Sequence, residues 1–366
     1  MKNNKAWKRG LLGAGILILL LIVGSILITG LEKKDKVTVG FVMTGNTQEQ
    51  GWNRLHYEGI LAACEELDVK LLVKEEIKEN TGQCQQAIRE LVEEDADMII
   101  LSSYGYAKEV LPVVEAYPEI SFYSESFDYT ASNMKSYFAR MYQARYLAGI
   151  VAGMQTETNQ IGYVAAMPNN EVNRGINAFT LGVRRVNPDA KVVVAWSNSW
   201  DDAEKEKELA SRLVEDAKTD VLSYHQNQPN VVDVAEEYGI ASIGYNEPAT
   251  DVSDNFLTAA VFHWNFTYKE VLLDYIREKS DAVDAYWVGI EQEAIGLSGF
   301  SPKVSKETVA KVEEAKQEMI SGFDVFSGEI YDRDGTIRCS EGETISDENL
   351  LKSMDWYVEG VEIYEE

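Results

Sequence analysis

Aromatic rings, amides and carboxylates gather where the apolar runs of this chain stop. Trp52, Asn53 and His56 follow the alternating apolar stretch that begins at Val37, and Tyr104 follows ADMIIL at 96–101. Trp200 and Asp201 come after the run Ala190 to Ala195. His225 ends Val221 to His225, Asn246 and Glu247 end Ala241 to Tyr245, and Trp264 follows Ala260 to Phe262. Rings of this kind take up a flat heterocycle by stacking, and Asn, Gln, Asp or Glu read its edges by hydrogen bonds. The chemistry expected is recognition of a planar ring in a cleft, with these ten residues as the contacts.

Each has an ordinary structural use as well. Trp52 can tuck under its own loop, and Trp196 and Trp200, four residues apart, can pack in the core, because Trp is usually mostly buried. Asp201-Asp202 suits the cap of the following helix, and Asn246-Glu247-Pro248 suits a turn. Trp52 and Trp200 are expected to face each other across the cleft.

Other chemistries lack their residues. The histidines, His56, His225 and His263, have no ligand spacing on one helix face, so no metal is expected. Gly40 to Gly45 has neither the GxGxxG pattern nor a following Lys-Ser/Thr for phosphate, and no GxSxG marks an esterase. Cys64, Cys84 and Cys339 show no CxxC spacing; free, buried thiols are expected. No cofactor is implied.

The elements that must hold these residues follow from periodicity. Val37, Val39, Phe41 and Met43 read as a buried strand, Thr44 to Gln50 as a polar loop, and Leu55 to Leu67 as a helix. That unit opens a βαβ fold, in which ligands sit at the carboxyl ends of strands; Trp52, Asn53 and His56 are therefore expected at the mouth of a cleft. Val69 to Val73, 96–101, Ile120 to Tyr123 and Met134 to Arg140 read as further strands. Ala144 to Gln155 reads as a helix in which Gly149 and Gly153 allow close packing. A second series starts at Gln160 and runs through Tyr245. Two such series imply an α/β protein of two doubly wound lobes around a cleft. The lobes are expected at 37–132 with 247–282, and at 133–246 with 283–366.

Composition agrees. Of 366 residues, 45% are hydrophobic, which excludes wholesale disorder. The net charge of −27 repels nucleic acid and anionic lipid. Residues 1–10 carry Lys2, Lys5, Lys8 and Arg9, and 11–31 contain no charge. That segment spans about 31 Å as a helix, enough for a bilayer core. The positive flank stays in the cytoplasm. A single uncleaved anchor in the cell membrane, with everything after it outside, is the expectation. No lipobox cysteine follows.

Four segments together resemble the basic membrane protein family of ABC-transporter substrate-binding proteins, the nucleoside-binding, Med-like group. They are Val39 to Gly59, with Gly51-Trp52-Asn53 where Ser-Phe-Asn is commoner; YFARMYQARYLAGIVAG at 137–153; QIGYVAAMPNNEVNRGINAFTLGVRRVN at 160–187; and 328–360, with GEIYDRDGTIRC and MDWYVEGV. The likeness covers about residues 37 to 362. It implies a type I periplasmic-binding-protein fold closing on a purine base or nucleoside, a permease partner, a monomer and no catalysis. Thr47-Gln48-Glu49-Gln50 stands where the family often has an acidic residue. AAVFHWNF at 259–266 lacks the Lys that helps hold ribose in the family's nucleoside binders, so the likeness points to a free base such as adenine. Two alternatives are a ligand-sensing extracellular domain for a membrane partner, and a purine nucleoside hydrolase using Asp201, Glu247 or His225 as acid or base.

Overall fold

Strand runs apolar on both faces, such as Val39 to Val42 and Met98 to Leu101, are fully buried; that pattern belongs to parallel sheets covered by helices on each side. The computed structural model describes residues 36–48, 51–246, 248, 252–277 and 285–365. In chain order the elements are β1 (Thr38–Val42), α1 (Trp52–Leu67), β2 (Lys70–Lys74), α2 (Gln83–Glu93), β3 (Met98–Leu101), α3 (Tyr106–Val114), β4 (Ser121–Ser124) and β5 (Met134–Ala139). Next come α4 (Met141–Gln155), β6 (Gln160–Ala165), α5 (Asn170–Val186), β7 (Lys191–Trp196), α6 (Ala203–Glu215), β8 (Val221–His225), α7 (Asn230–Tyr238), β9 (Ala241–Asn246) and β10 (Phe256–Phe262). The chain finishes with α8 (Trp264–Ile276), β11 (Ala285–Val288), β12 (Ile295–Leu297), α9 (Lys306–Ile320), β13 (Ile330–Tyr331), β14 (Ile337–Cys339), α10 (Asp347–Lys352) and β15 (Val361–Ile363).

Two large sheets result. The first has the order β11-β5-β4-β3-β1-β2 and is parallel throughout. The second has the order β12-β10-β9-β8-β6-β7-β15, parallel except where β12 meets β10. The chain passes between them three times, after β5, after β10 and after β11. The lobe limits read from the sequence differ from this membership. Met134–Ala139 and Ala285–Val288 pair in the first sheet, whereas Phe256–Phe262 pairs in the second. A short apolar strand serves either sheet equally well; its neighbours decide, and the first two crossings fall in tight strand-to-helix turns that carry no linker composition.

Within the second lobe α4 and α5 make a backbone contact. A Cβ on Gly149 would stand 2.0 Å from the Phe179 carbonyl oxygen, and one on Gly182 2.0 Å from that of Tyr146. These helices touch through their main chains, as the glycines of 144–155 lead one to expect. Asn169 caps α5 by accepting from the Val172 N–H at 3.0 Å. Cys64, Cys84 and Cys339 are buried and unpaired. Among the described residues no helix is long and apolar enough to cross a membrane. The anchor expected at 11–31 lies outside them.

Candidate ligand-binding site

In a parallel sheet every strand delivers its carboxyl end to the same edge, and here the two edges meet. Gly51, which follows β1 with φ +80°, packs against the loop after β8: a Cβ there would lie 3.7 Å from the Asn227 carbonyl oxygen. The positive φ turns the chain into α1 and brings Trp52 to the edge. The Trp52 indole N–H donates to the Ser102 carbonyl, beyond β3, at 3.2 Å. Its ring, partly buried, meets His56 at 4.3 Å, Trp264 at 5.5 Å, Phe262 at 6.0 Å and Phe138 at 6.4 Å. Phe262 stacks on Trp264 at 4.6 Å and 13°.

The rings continue into the second lobe. Phe262 reaches Tyr245 at 6.2 Å, Tyr245 reaches His225 at 4.3 Å, and His225 reaches Trp200 at 5.9 Å. A row of aromatic side chains therefore bridges the sheets. Trp52 and Trp200 stand at its two ends, joined through Phe262, Tyr245 and His225. The two indoles are linked through this row rather than by a direct ring contact.

Other expected contacts fall differently. His56 is fully buried. One helical turn after Trp52, it lies beneath that ring rather than at the mouth, and packs against Trp264 at 3.8 Å. Trp264 is itself only 2% exposed and belongs to the support. Tyr104 is 54% exposed and donates to the Asp128 carboxylate, away from the row. Asp201 is exposed, while its neighbour Asp202 caps α6 by accepting from the Lys205 N–H at 3.1 Å. Asn53 accepts from the Thr44 hydroxyl at 3.0 Å. Asn246, at the end of β9, is buried with φ +70° and a side-chain oxygen that has no partner. Glu247 lies outside the described residues.

Four charged residues not singled out in the sequence complete the site. Glu125, just past β4, is buried and accepts from the Tyr137 hydroxyl at 3.4 Å. Burial, and then the Glu171 carboxylate, push its pKa well up. Glu171 lies in the first turn of α5, its Oε1 4.0 Å from His225 Nε2. Burial raises its pKa too, against the opposing pull of Arg174 and Arg145. Arg145 of α4 is fully buried, donates to the Tyr224 carbonyl at 2.9 Å and lies 4.0 Å over the Tyr245 ring. Arg174 donates to the Leu350 carbonyl at 2.7 Å. His225 is kept neutral by burial first, then by Arg145 and Arg174.

Among the described residues no group of three or more His, Cys, Asp or Glu could hold a metal ion. The arrangement can bind: rings for a flat face, and acceptors and donors for its rim.

Two parallel-sheet lobes with facing carboxyl edges and repeated crossings define a periplasmic-binding-protein-like fold. A transcriptional activator of the comK gene from Bacillus halodurans superposes with a TM-score of 0.70 at 24% identity, over 78% of this chain and 98% of that one. An ABC-transporter solute-binding protein from Conexibacter woesei does so at 0.65 and 19%, over 78% and 97%. Residues 36–327 match the Bmp family, ABC transporter substrate-binding protein PnrA-like, and the chain belongs to it. The match ends short of residue 362, where the likeness read from the sequence stopped. A Haloferax volcanii protein provisionally named as an ABC transporter glucose-binding protein is 33% identical over 91% of this chain and 82% of its own length. A purine-binding protein of Brucella abortus is 28% identical over 94% and 99%. The chain is accordingly a solute-binding protein and not an enzyme, which retires the hydrolase alternative.

Proposed function

We propose that this protein captures a purine, as free base or nucleoside, between its two lobes outside the membrane and hands it to an ABC permease. The observation that carries the reading is the aromatic row from Trp52 through Phe262 and Tyr245 to His225 and Trp200. Stacked rings suit a flat heterocycle. The open side-chain oxygens of Asn246 and Gln226 beside that row suit its polar edge. The Brucella relative's name points the same way. Residues 11–31 would hold the protein at the membrane, with the lobes outside.

Aromatic rings and carboxylates also suit a sugar, and the Haloferax relative is named for glucose. Calorimetry of the full chain in detergent with adenine, guanine, adenosine, guanosine and glucose tests both. Tight binding of at least one purine without glucose binding is expected. Glucose binding with no purine binding overturns the purine reading.

A further inference from the structure

We propose that Glu171 is the specificity-determining residue of the cleft, and that it selects a purine by accepting a hydrogen bond from an exocyclic amine. This rests on the purine reading above. Glu171 stands where the lobes meet and keeps an open carboxylate. Its side chain is 40% exposed, whereas Glu125 opposite is 4% exposed. Among the described residues no hydrogen bond reaches the Glu171 carboxylate; its Oε1 lies 4.0 Å from His225 Nε2. That imidazole belongs to the aromatic row, so the carboxylate stands at the edge of the stacking surface, where the rim of a bound ring must come.

Two further observations point at a donor-rich ligand edge. The side-chain oxygens of Asn246 and Gln226, both at least nine-tenths buried, have no hydrogen-bond partner. With Glu171 they supply unpaired acceptors at the ends of β8, β9 and the start of α5. Such acceptors are costly unless a donor meets them, and an amine meets more of them than a carbonyl does. Burial raises the Glu171 pKa, and the Arg174 and Arg145 guanidiniums oppose that rise. Both guanidiniums are themselves tied to main-chain carbonyls of the second lobe, which fixes the field they exert. Asp201, the acceptor suggested by the sequence, is exposed next to a helix cap and lacks this setting.

The test compares adenine with unsubstituted purine, which differ only by the amine. Calorimetry is run on the full chain, on Glu171→Met, which removes the acceptor at similar length, and on Glu171→Gln. The wild type should bind adenine about tenfold or more tightly than purine, the contribution of one hydrogen bond to a charged group. Glu171→Met should bring the two ligands within about threefold, and Glu171→Gln should fall between. A wild type that binds the two equally overturns the assignment and leaves the purine reading standing. So does an adenine preference that survives unchanged in both variants. Binding of neither base overturns the assignment, and the purine reading falls with it only if guanine, adenosine and guanosine also fail to bind. Melting temperatures of the variants within a few degrees of wild type exclude misfolding as the cause of a lost preference.

Discussion

His56 Nε2 stands 3.5 Å from Glu125 Oε1, with both side chains sealed beneath the ring of Trp52. The other ring nitrogen of His56 pairs with the Tyr268 hydroxyl, which pairs in turn with Tyr137 at 3.3 Å. Burial pushes the two titrations in opposite directions. It raises Glu125 well above 4.5 and lowers His56 well below 6.5. Burial thus favours the neutral form of each.

Stability should follow from this with a definite sign. Below pH 4.5 the Glu125 carboxyl is protonated folded and unfolded, and nothing is lost. As pH rises toward the folded pKa, the unfolded chain gains the ionised form first and stability declines. Glu125→Gln keeps an acceptor for Tyr137 and removes that titration. The variant's stability relative to wild type should increase as pH rises above 4.5, measured by denaturant unfolding between about pH 4 and about pH 8. A difference that is flat with pH would show that Glu125 ionises freely in the fold. His56 acts from the other side, its neutral form costing stability as pH falls below 6.5.

Gly149→Ala should be severe. Its new methyl would meet the Phe179 carbonyl at 2.0 Å, main chain against main chain, with no rotamer to relieve it. Separating α4 from α5 is expected to cost at least about 1–3 kcal/mol, the usual range for an overpacked core. Gly299→Ala, where a Cβ meets nothing within 4 Å, serves as the control in the same unfolding measurement.

Trp52 and Trp264 should separate by assay. Trp52 is partly open and Trp264 is 2% exposed. Trp52→Ala should weaken purine binding by about 2 kcal/mol or more, as loss of an aromatic anchor commonly does. Trp264→Ala should instead lower folding stability by about 3–5 kcal/mol, because it opens a cavity behind His56 and Phe262. Equal effects on binding, with stability unchanged in both, would place Trp264 in the cleft.

The order of strands and helices was legible because parallel strands buried on both faces read as short apolar runs, each ending in a polar loop. Trp52 could be placed at such an end from the pattern of 37–59 alone. His56 was misplaced because its neighbourhood depends on helical spacing: four residues on, it lies under Trp52 rather than beside it. Glu171 could not be told from the acidic residues that favour any helix start; only the folded chain brings His225 to it. Arg145 was not singled out in the sequence. It is buried because β8 and β9 part after the Ser223–Ile243 pair, leaving the Tyr224 carbonyl for its guanidinium. Strand splaying of this kind leaves no mark on composition or period.

The amino-terminal segment should remain on the mature protein. Residues 11–31 are uncharged and long, without the small-residue cleavage pattern of a secretory signal. Intact-mass spectrometry of protein from native membranes should recover a chain that includes them. A mature chain starting near Glu32 would rule the anchor out.

Free base should bind at least as well as nucleoside. The segment 259–266 offers no lysine to ribose hydroxyls. Where the chain crosses from β10 to α8, Phe262 packs on the buried Trp264, and His263 Nδ1 is 2.8 Å from the Glu293 carbonyl oxygen. A ribose placed there would bring three hydroxyl-bearing carbons against rings, with few polar groups to replace their water, and unpaired hydroxyls cost about 1–3 kcal/mol each when buried. A bare base loses nothing at that position and keeps its stacking and its edge contacts. Calorimetry with adenine and adenosine on the same preparation should therefore give an adenine affinity equal to or above that of adenosine. Restoring a lysine by His263→Lys should shift the ratio toward adenosine. Tight adenosine binding with no detectable adenine binding in the wild type would overturn the free-base preference and leave the solute-binding assignment intact.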